Sequence, residues 1–269
     1  MATSRTGFTY LDDPGPVIAF AHRGGAYHPE VEGLENTVAA FRHAVSLGYR
    51  YLETDVHVTS DGVLLAFHDS VLDRVTDRQG EIAALTLAEV REARVGGREA
   101  VPPLAELFDA FPGAHFNIDL KSDGAVPALA DFIAAREAWD RVLVGSFSRR
   151  RTTRFRALTA GRVPTCATPA EIAAYRLLPH RLAGLVTRRR FQALQVPHRR
   201  GRITVVTPGL VRRAHAAGLH VHVWTIDDPA EMNELLDRGV DGIFTDRTDI
   251  LRDVLIARGQ WRGPDDEHA

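Results

Sequence analysis

The chain has 269 residues, 45% of them hydrophobic and 25% charged, with 33 basic against 35 acidic side chains and a formal net charge of −2. That is the composition of an ordinary globular protein, not a disordered one, and so even a balance gives no global pull toward nucleic acid. No uncharged apolar run approaches the ~20 residues with which a helix crosses a bilayer, so no stable membrane insertion is expected; the length suits one (β/α) barrel of roughly 250 residues as well as two small domains.

In chain order, the first 13 residues are polar, close on the pair Asp12-Asp13, and lack the apolar core of a secretory signal. The single cysteine, Cys166, has no internal partner, so a reducing compartment and a cytoplasmic protein are expected. A β-rich run at 17–21 leads to 37–47, whose apolar spacing and terminal Gly48 describe a helix with a glycine stop. A strand at 51–57 is joined by Thr59-Ser60-Asp61-Gly62, a turn signal, to an apolar run at 63–67, which reads as its hairpin partner. Residues 70–103 break the rhythm and read as an insertion after that arm. Strands follow at 115–120, 142–146, 163–167, 193–196, 220–226 and 242–245, the fifth and sixth of the eight main strands being the faintest in pattern. Helices are expected at 208–217 and 229–238, each ending at a glycine. The tail 263–269 is polar and expected to fray.

Strands alternating with amphipathic helices predict a parallel α/β fold; with no linker or repeat, a single (β/α)8 domain over 1–269 is expected. Arginine is dense at 149–156, 188–190 and 199–202, which reads as solvated helix and loop faces. Lys121 is the only lysine, and a compact ammonium with three donors differs in use from a guanidinium.

In such a barrel the chemistry sits at the C-terminal ends of the strands. Residues i and i+2 of a strand share a face, so Glu53 and Asp55 point one way, as do Asp119 and Lys121 on the next strand. Neighbouring carboxylates repel unless positive charge intervenes. Three converging at one depth suit a hard divalent cation, Mg2+ or Ca2+, held through oxygen; the alternative is strand-end carboxylates paired with arginine. His22 and His68 each follow an apolar run directly, which places both imidazoles beside the carboxylates, where they can serve as base and acid. His220 and His222 imitate a His-x-His metal pair but stand at the start of their strand and read as structural. Arg23 and Lys121 supply positive charge, and Gly24-Gly25 lets backbone amides approach an anion. Together these groups meet the needs of phosphoryl transfer.

The motifs Ala21-His22-Arg23-Gly24-Gly25, Leu34-Glu35-Asn36-Thr37, Glu53-Thr54-Asp55-Val56, Phe67-His68-Asp69, Leu72-Asp73-Arg74 and Asn117-Ile118-Asp119-Leu120-Lys121 stand in family order, followed by Gln195-Val196-Pro197, Val223-Trp224-Thr225 and Asp241-Gly242-Ile243-Phe244-Thr245-Asp246. With them the chain resembles the glycerophosphodiester phosphodiesterases over nearly its whole length. The resemblance implies a (β/α)8 barrel with an insertion after the His68 arm. It implies hydrolysis of glycerophosphodiesters, such as deacylated phospholipids, to glycerol 3-phosphate and an alcohol. It makes His22 and His68 catalytic, Glu53, Asp55 and Asp119 ligands of one divalent cation, and Arg23, Lys121 and Trp224 contacts of phosphate or glycerol, with Glu35 at the site edge. In the family mechanism the substrate's 2-hydroxyl attacks phosphorus and water then opens the cyclic phosphate.

Two positions depart from the family: Asp119 stands where glutamate is usual, and Leu34 where proline usually precedes Glu-Asn-Thr. Two other readings remain at this point. A lysophospholipase D-like or sphingomyelinase D-like enzyme would want an apolar rim, which the sequence does not display, Phe108, Phe111 and Trp261 having no assigned place. A non-catalytic barrel that binds a phosphorylated ligand would have no use for two histidines and three carboxylates at strand ends. The preferred alcohol and the oligomeric state are not encoded in any motif.

Overall fold

The structure, a computed structural model, describes residues 6–12 and 15–263; the tail expected to fray lies outside them apart from Gly263. A short helix α1 (Thr9–Asp12) precedes β1 (Ile18–His22). The Thr37 hydroxyl accepts the Ala40 N–H and caps α2 (Val38–Ser46). β2 (Tyr51–Val58) turns back into β3 (Leu64–Ala66), its antiparallel partner, as the turn chemistry at 59–62 requires. Residues 70–103 then form a 3-10 turn (Ile82–Ala84), α3 (Leu87–Val90) and a small hairpin of β4 (Arg94–Val95) and β5 (Glu99–Ala100). They close over an apolar cluster shared with the β3 arm, in which Leu65 and Phe67 join Ile82, Val90 and Val101.

The alternation resumes with α4 (Leu104–Ala110), β6 (His115–Leu120), α5 (Ala125–Ala135), β7 (Val142–Gly145) and α6 (Arg149–Leu158). α7 (Pro169–Leu177) and α8 (His180–Thr187) lead to β8 (Ala193–Pro197) and a second hairpin, β9 (Arg199–Arg200) with β10 (Ile203–Thr204). The chain ends with α9 (Pro208–His215), β11 (His220–Trp224), α10 (Pro229–Asp237), β12 (Gly242–Thr245) and α11 (Thr248–Ala257).

Seven parallel strands curl in the order β7-β6-β2-β1-β12-β11-β8, consistent with a TIM-type barrel. The strand expected at 163–167 does not form. Pro164 has no N–H to give to a ladder, and the segment makes single bridges instead. On one side Val144 N–H donates to Pro164 O and Cys166 N–H to Val144 O; on the other, Gln192 N–H donates to Thr165 O and Ala167 N–H to Ala193 O. The segment therefore ties β7 to β8 through four hydrogen bonds without strand geometry of its own.

Outward-facing residues such as Leu52, Phe116, Ile118 and Val144 pack under the helices. Inward-facing Phe20, Tyr51, Leu143 and Phe244 fill the lower interior, with Tyr10 of α1 packed edge-on against Tyr51. Phe20 and Phe244 stack at 4.1 Å. His222 is fully buried beside Phe20, and burial, then His220, pushes its pKa down to about 3. It is a neutral core residue, which agrees with the structural reading of that pair. Polar side chains begin one layer above this apolar floor.

Candidate active site

Parallel pairing brings the polar positions level. His22 is in register with Glu53, and Glu53 with Asn117; two residues further, Asp55 is in register with Asp119, and Asp119 with Gly145. The first layer holds an imidazole, a carboxylate and an amide, and the second holds two carboxylates. Gly145 completes the second layer without a side chain, where an added Cβ would stand 3.6 Å from Cys166 Sγ.

Each imidazole is held through Nδ1. His22 Nδ1 lies 2.9 Å from Asp246 Oδ1, just past the end of β12, and His22 Nε2 lies 3.8 Å from Glu53 Oε2. His68 Nδ1 lies 2.6 Å from Asp69 Oδ1, and Arg74 Nε donates to the other oxygen of Asp69. The same guanidinium donates twice to Glu35, at 2.9 and 2.7 Å. Glu35 also accepts from Arg23 Nη1, while Arg23 Nε lies 3.3 Å from Asp55 Oδ2. A chain of alternating charge thus runs from Asp69 through Arg74, Glu35 and Arg23 to Asp55. Arg23 adopts φ +50, and its N–H is shared between Glu53 O and Oε2, each at 3.1 Å. Gly24, at φ +87, packs so close to α2 that a Cβ would stand 2.7 Å from Ala40 Cβ; only glycine fits there.

Lys121 Nζ sits 3.0 Å from Asp55 Oδ1 and 2.7 Å from Asp119 Oδ2. Burial opposes the charge on Asp55, but Lys121 and then Arg23 prevail and hold its pKa below the ordinary value. Asp119 is raised, chiefly by burial, and its Oδ1 is buried without a hydrogen-bond partner. Burial and then Asp55 push Glu53 up to about 7. For His22 burial favours the neutral form, yet Glu53 and the bond to Asp246 outweigh it and raise the pKa. The cluster is therefore short of positive charge: a Glu53 carboxyl that ionises only near neutrality and an orphaned Asp119 oxygen are what an oxygen-bound cation would relieve. Among the described residues, no three His, Cys, Asp or Glu side chains stand close enough together to hold a metal ion as they are; the Lys121 ammonium occupies the space between Asp55 and Asp119.

These groups open into one cavity of about 310 Å3, large enough for a small molecule. Of the nine residues expected from the sequence, His22, Arg23, Glu53, Asp55, His68, Asp119, Lys121 and Trp224 line it. Glu35 does not; its carboxylate is spent on Arg23 and Arg74. One wall is apolar: Phe147, Ala167, Pro169, Ile172 and Trp224, with Phe147 edge-on to Trp224 at 5.8 Å. Phe108 and Phe111 are core residues and Trp261 packs on Tyr49, so none of the three belongs to this wall. The sequence motifs contained Asp69, Arg74, Gln195 and Asp246 without giving them roles. Asp246 directly follows a barrel strand, a position that could have singled it out. Gln195 Nε2 donates to Asn117 Oδ1 at 2.6 Å and sets the polar floor, a contact between strands 78 residues apart that no local pattern encodes.

The glycerophosphoryl diester phosphodiesterase family model matches residues 22–250. A Mycobacterium tuberculosis protein named probable glycerophosphodiester phosphodiesterase 2 is 40% identical over 94% of this chain and 99% of its own. A human lysophospholipase D is 28% identical over 87% of this chain and 85% of its own. Among solved structures, a glycerophosphodiester phosphodiesterase of Agrobacterium tumefaciens superposes with a TM-score of 0.73 at 26% identity, covering 88% of this chain and 99% of that one. A phosphodiesterase of Oleispira antarctica, solved with its product sn-glycerol-3-phosphate, superposes with a TM-score of 0.74 at 24% identity over 89% and 96%. With the family model spanning every motif from His22 to Asp246, the chain belongs to the glycerophosphoryl diester phosphodiesterase family.

Proposed function

We propose that this enzyme hydrolyses glycerophosphodiesters to glycerol 3-phosphate and an alcohol in a single (β/α)8 domain over 1–269, with 70–103 as an insertion. The observation that carries the reading is one cavity whose wall combines two imidazoles, each held at Nδ1 by a carboxylate, with Glu53, Asp55, Asp119, Arg23 and Lys121. Glu53, Asp55 and Asp119 would hold one divalent cation, Mg2+ or Ca2+, which supplies charge stabilisation to phosphate oxygens when bound. The all-oxygen donor set and the unpaired Asp119 oxygen favour such an ion.

The remaining work falls to the chain itself. Arg23 and Lys121 orient the phosphodiester by its charge. With Asp246 accepting from Nδ1, His22 keeps Nε2 as the acceptor toward the cavity and takes the proton of the attacking 2-hydroxyl. His68, hydrogen-bonded through Nδ1 to Asp69, presents Nε2 and protonates the departing alcohol oxygen, giving a cyclic phosphate that water opens with the roles reversed. Glu35 acts indirectly, by fixing Arg23 and Arg74. Trp224 and Phe147 flank the organic end of the substrate.

Hydrolysis of glycerophosphocholine, followed as glycerol 3-phosphate release, tests this: turnover should stop with chelator and with His22→Ala. Turnover that survives metal removal sinks the role given to the three carboxylates. The apolar wall favours a second substrate class, lysophospholipids, which side-by-side turnover of lysophosphatidylcholine distinguishes. The buried, unpaired Cys166 suits a reducing compartment, and a cytoplasmic location is proposed on that basis.

A further inference from the structure

Charge is segregated along this chain. From Arg141 to Ile226 there are seventeen arginines and one acidic residue, Glu171, although the whole chain is nearly neutral. That stretch builds β7, α6 to α8, β8, the β9–β10 hairpin, α9 and β11, which adjoin one another through the 163–167 bridges and the β8–β11 ladder. This part of the fold therefore carries a surplus of positive charge, only partly offset where Asp123 pairs with Arg150 and Arg151, Glu171 with Arg156 and Glu234 with Arg199.

The same part exposes aliphatic side chains. Leu177 is 78% exposed, Leu185 75%, Val186 62% and Ile203 58%, with Leu182 also exposed. Arg181, Arg188, Arg189 and Arg190 are interleaved with them, exposed, and bonded to no carboxylate among the described residues. Arg176 Nη1 donates to Thr204 O and Val205 O, which fastens the end of α7 to the β9–β10 hairpin and makes Leu177 and Ile203 part of one surface. The other end of α7 supplies Pro169 and Ile172 to the cavity wall. The helix that carries Leu177 thus reaches the cavity wall at its other end.

We infer that the α7–α8 face and the β9–β10 hairpin dock on an anionic lipid surface, the aliphatic side chains entering the acyl boundary and the arginines pairing with lipid phosphates. Nucleic acid would engage the arginines but leave the aliphatic side chains idle, since single-strand binders interleave their cations with aromatic rings for stacking. A symmetric contact with a second copy would set like-charged faces against each other. Docking holds the cavity mouth close to the surface from which lipid-derived phosphodiesters come. The inference stands on surface chemistry alone and does not require the catalytic assignment.

Vesicle co-sedimentation of the full chain tests it. The protein should bind phosphatidylcholine vesicles containing phosphatidylglycerol, bind pure phosphatidylcholine far less, and be released by salt. Combined Arg181→Gln, Arg188→Gln and Arg189→Gln should weaken binding on the order of a hundredfold, and combined Leu177→Ser, Leu185→Ser and Val186→Ser roughly tenfold or more. Thermal melts matching the parent's confirm that both variants fold. Equal binding to neutral vesicles, undiminished binding by either variant, tighter binding to single-stranded DNA of matched charge, or a dimer that the serine variant dissociates would each overturn the inference.

Discussion

Asp246→Asn separates orientation of His22 from mere packing. The carboxylate lies 2.9 Å from His22 Nδ1, and the two side chains are only 11% and 16% exposed. Asparagine keeps the volume, removes the charge, and can offer its NH2 to Nδ1, which selects the tautomer whose Nε2 cannot accept a proton. A hydrogen bond to a charged group contributes ~1.5–3 kcal/mol, so on the proposed role of His22 as the base its loss should lower kcat by about 10- to 100-fold. Inverting the tautomer deepens that toward the ~10^4-fold of an amide replacing a triad carboxylate. KM should change little, because Asp246 is not in the cavity wall. The pH dependence has a definite sign. The His22 pKa is raised because Glu53 and Asp246 outweigh burial, so the substitution lowers it and the acid limb of kcat/KM moves to lower pH as the plateau falls. A raised histidine pKa contributes stability that is complete below the unfolded value and lost as pH rises through the folded one; the stability gap between parent and variant is therefore widest in mild acid. Initial rates of glycerol 3-phosphate release and urea unfolding, both from mild acid to mild alkali, measure these effects. An unchanged kcat together with an unmoved acid limb would refute the role of Asp246.

Lys121→Met leaves Asp55 and Asp119 buried without their ammonium, which should cost about 3–5 kcal/mol near pH 7. Because the Asp55 pKa is depressed in the folded state, that deficit is full above the unfolded value and shrinks as acid neutralises the carboxylate. Added Mg2+ or Ca2+ should restore part of it in urea unfolding; a loss indifferent to divalent ions counts against a cation site. His222→Gln removes a buried histidine whose pKa lies near 3; the parent loses stability as pH falls below the unfolded histidine value, and the variant should lose roughly 1 kcal/mol less per pH unit over that range. Parallel acid titrations of the two proteins decide it. Gly24→Ala combines φ +87 with a 2.7 Å clash on Ala40 and should cost on the order of 3 kcal/mol, against about 1 kcal/mol for Gly62→Ala, which meets open space. Equal shifts in Tm would show that the approach of α2 does not matter.

The expectation of strands at 115–120 and 242–245, and of a hairpin arm after the Thr59-Ser60-Asp61-Gly62 turn, matches the structure because those signals are local: an apolar run, a turn tetrapeptide, a pleat of period two. The fifth strand failed for a reason also visible locally, Pro164, which cannot complete a ladder. The segment 70–103 was recognisable only as a break in rhythm, since its short elements are held by an apolar cluster spread along the segment and shared with Leu65 and Phe67 rather than by periodicity.

By itself the sequence determined that acids, imidazoles and single cations would stand at strand ends, because strand period and position are properties of neighbours along the chain. The tertiary structure decided who faces whom. Strand register put His22 level with Glu53 and Asp55 level with Asp119. Folding brought Asp246 to His22 across 224 residues of chain and set Glu35, expected at the site edge, between the guanidinium groups of Arg23 and Arg74. Electrostatic and packing energies depend on separations of a few ångströms through space, and sequence distance carries no information about those until the sheet has curled.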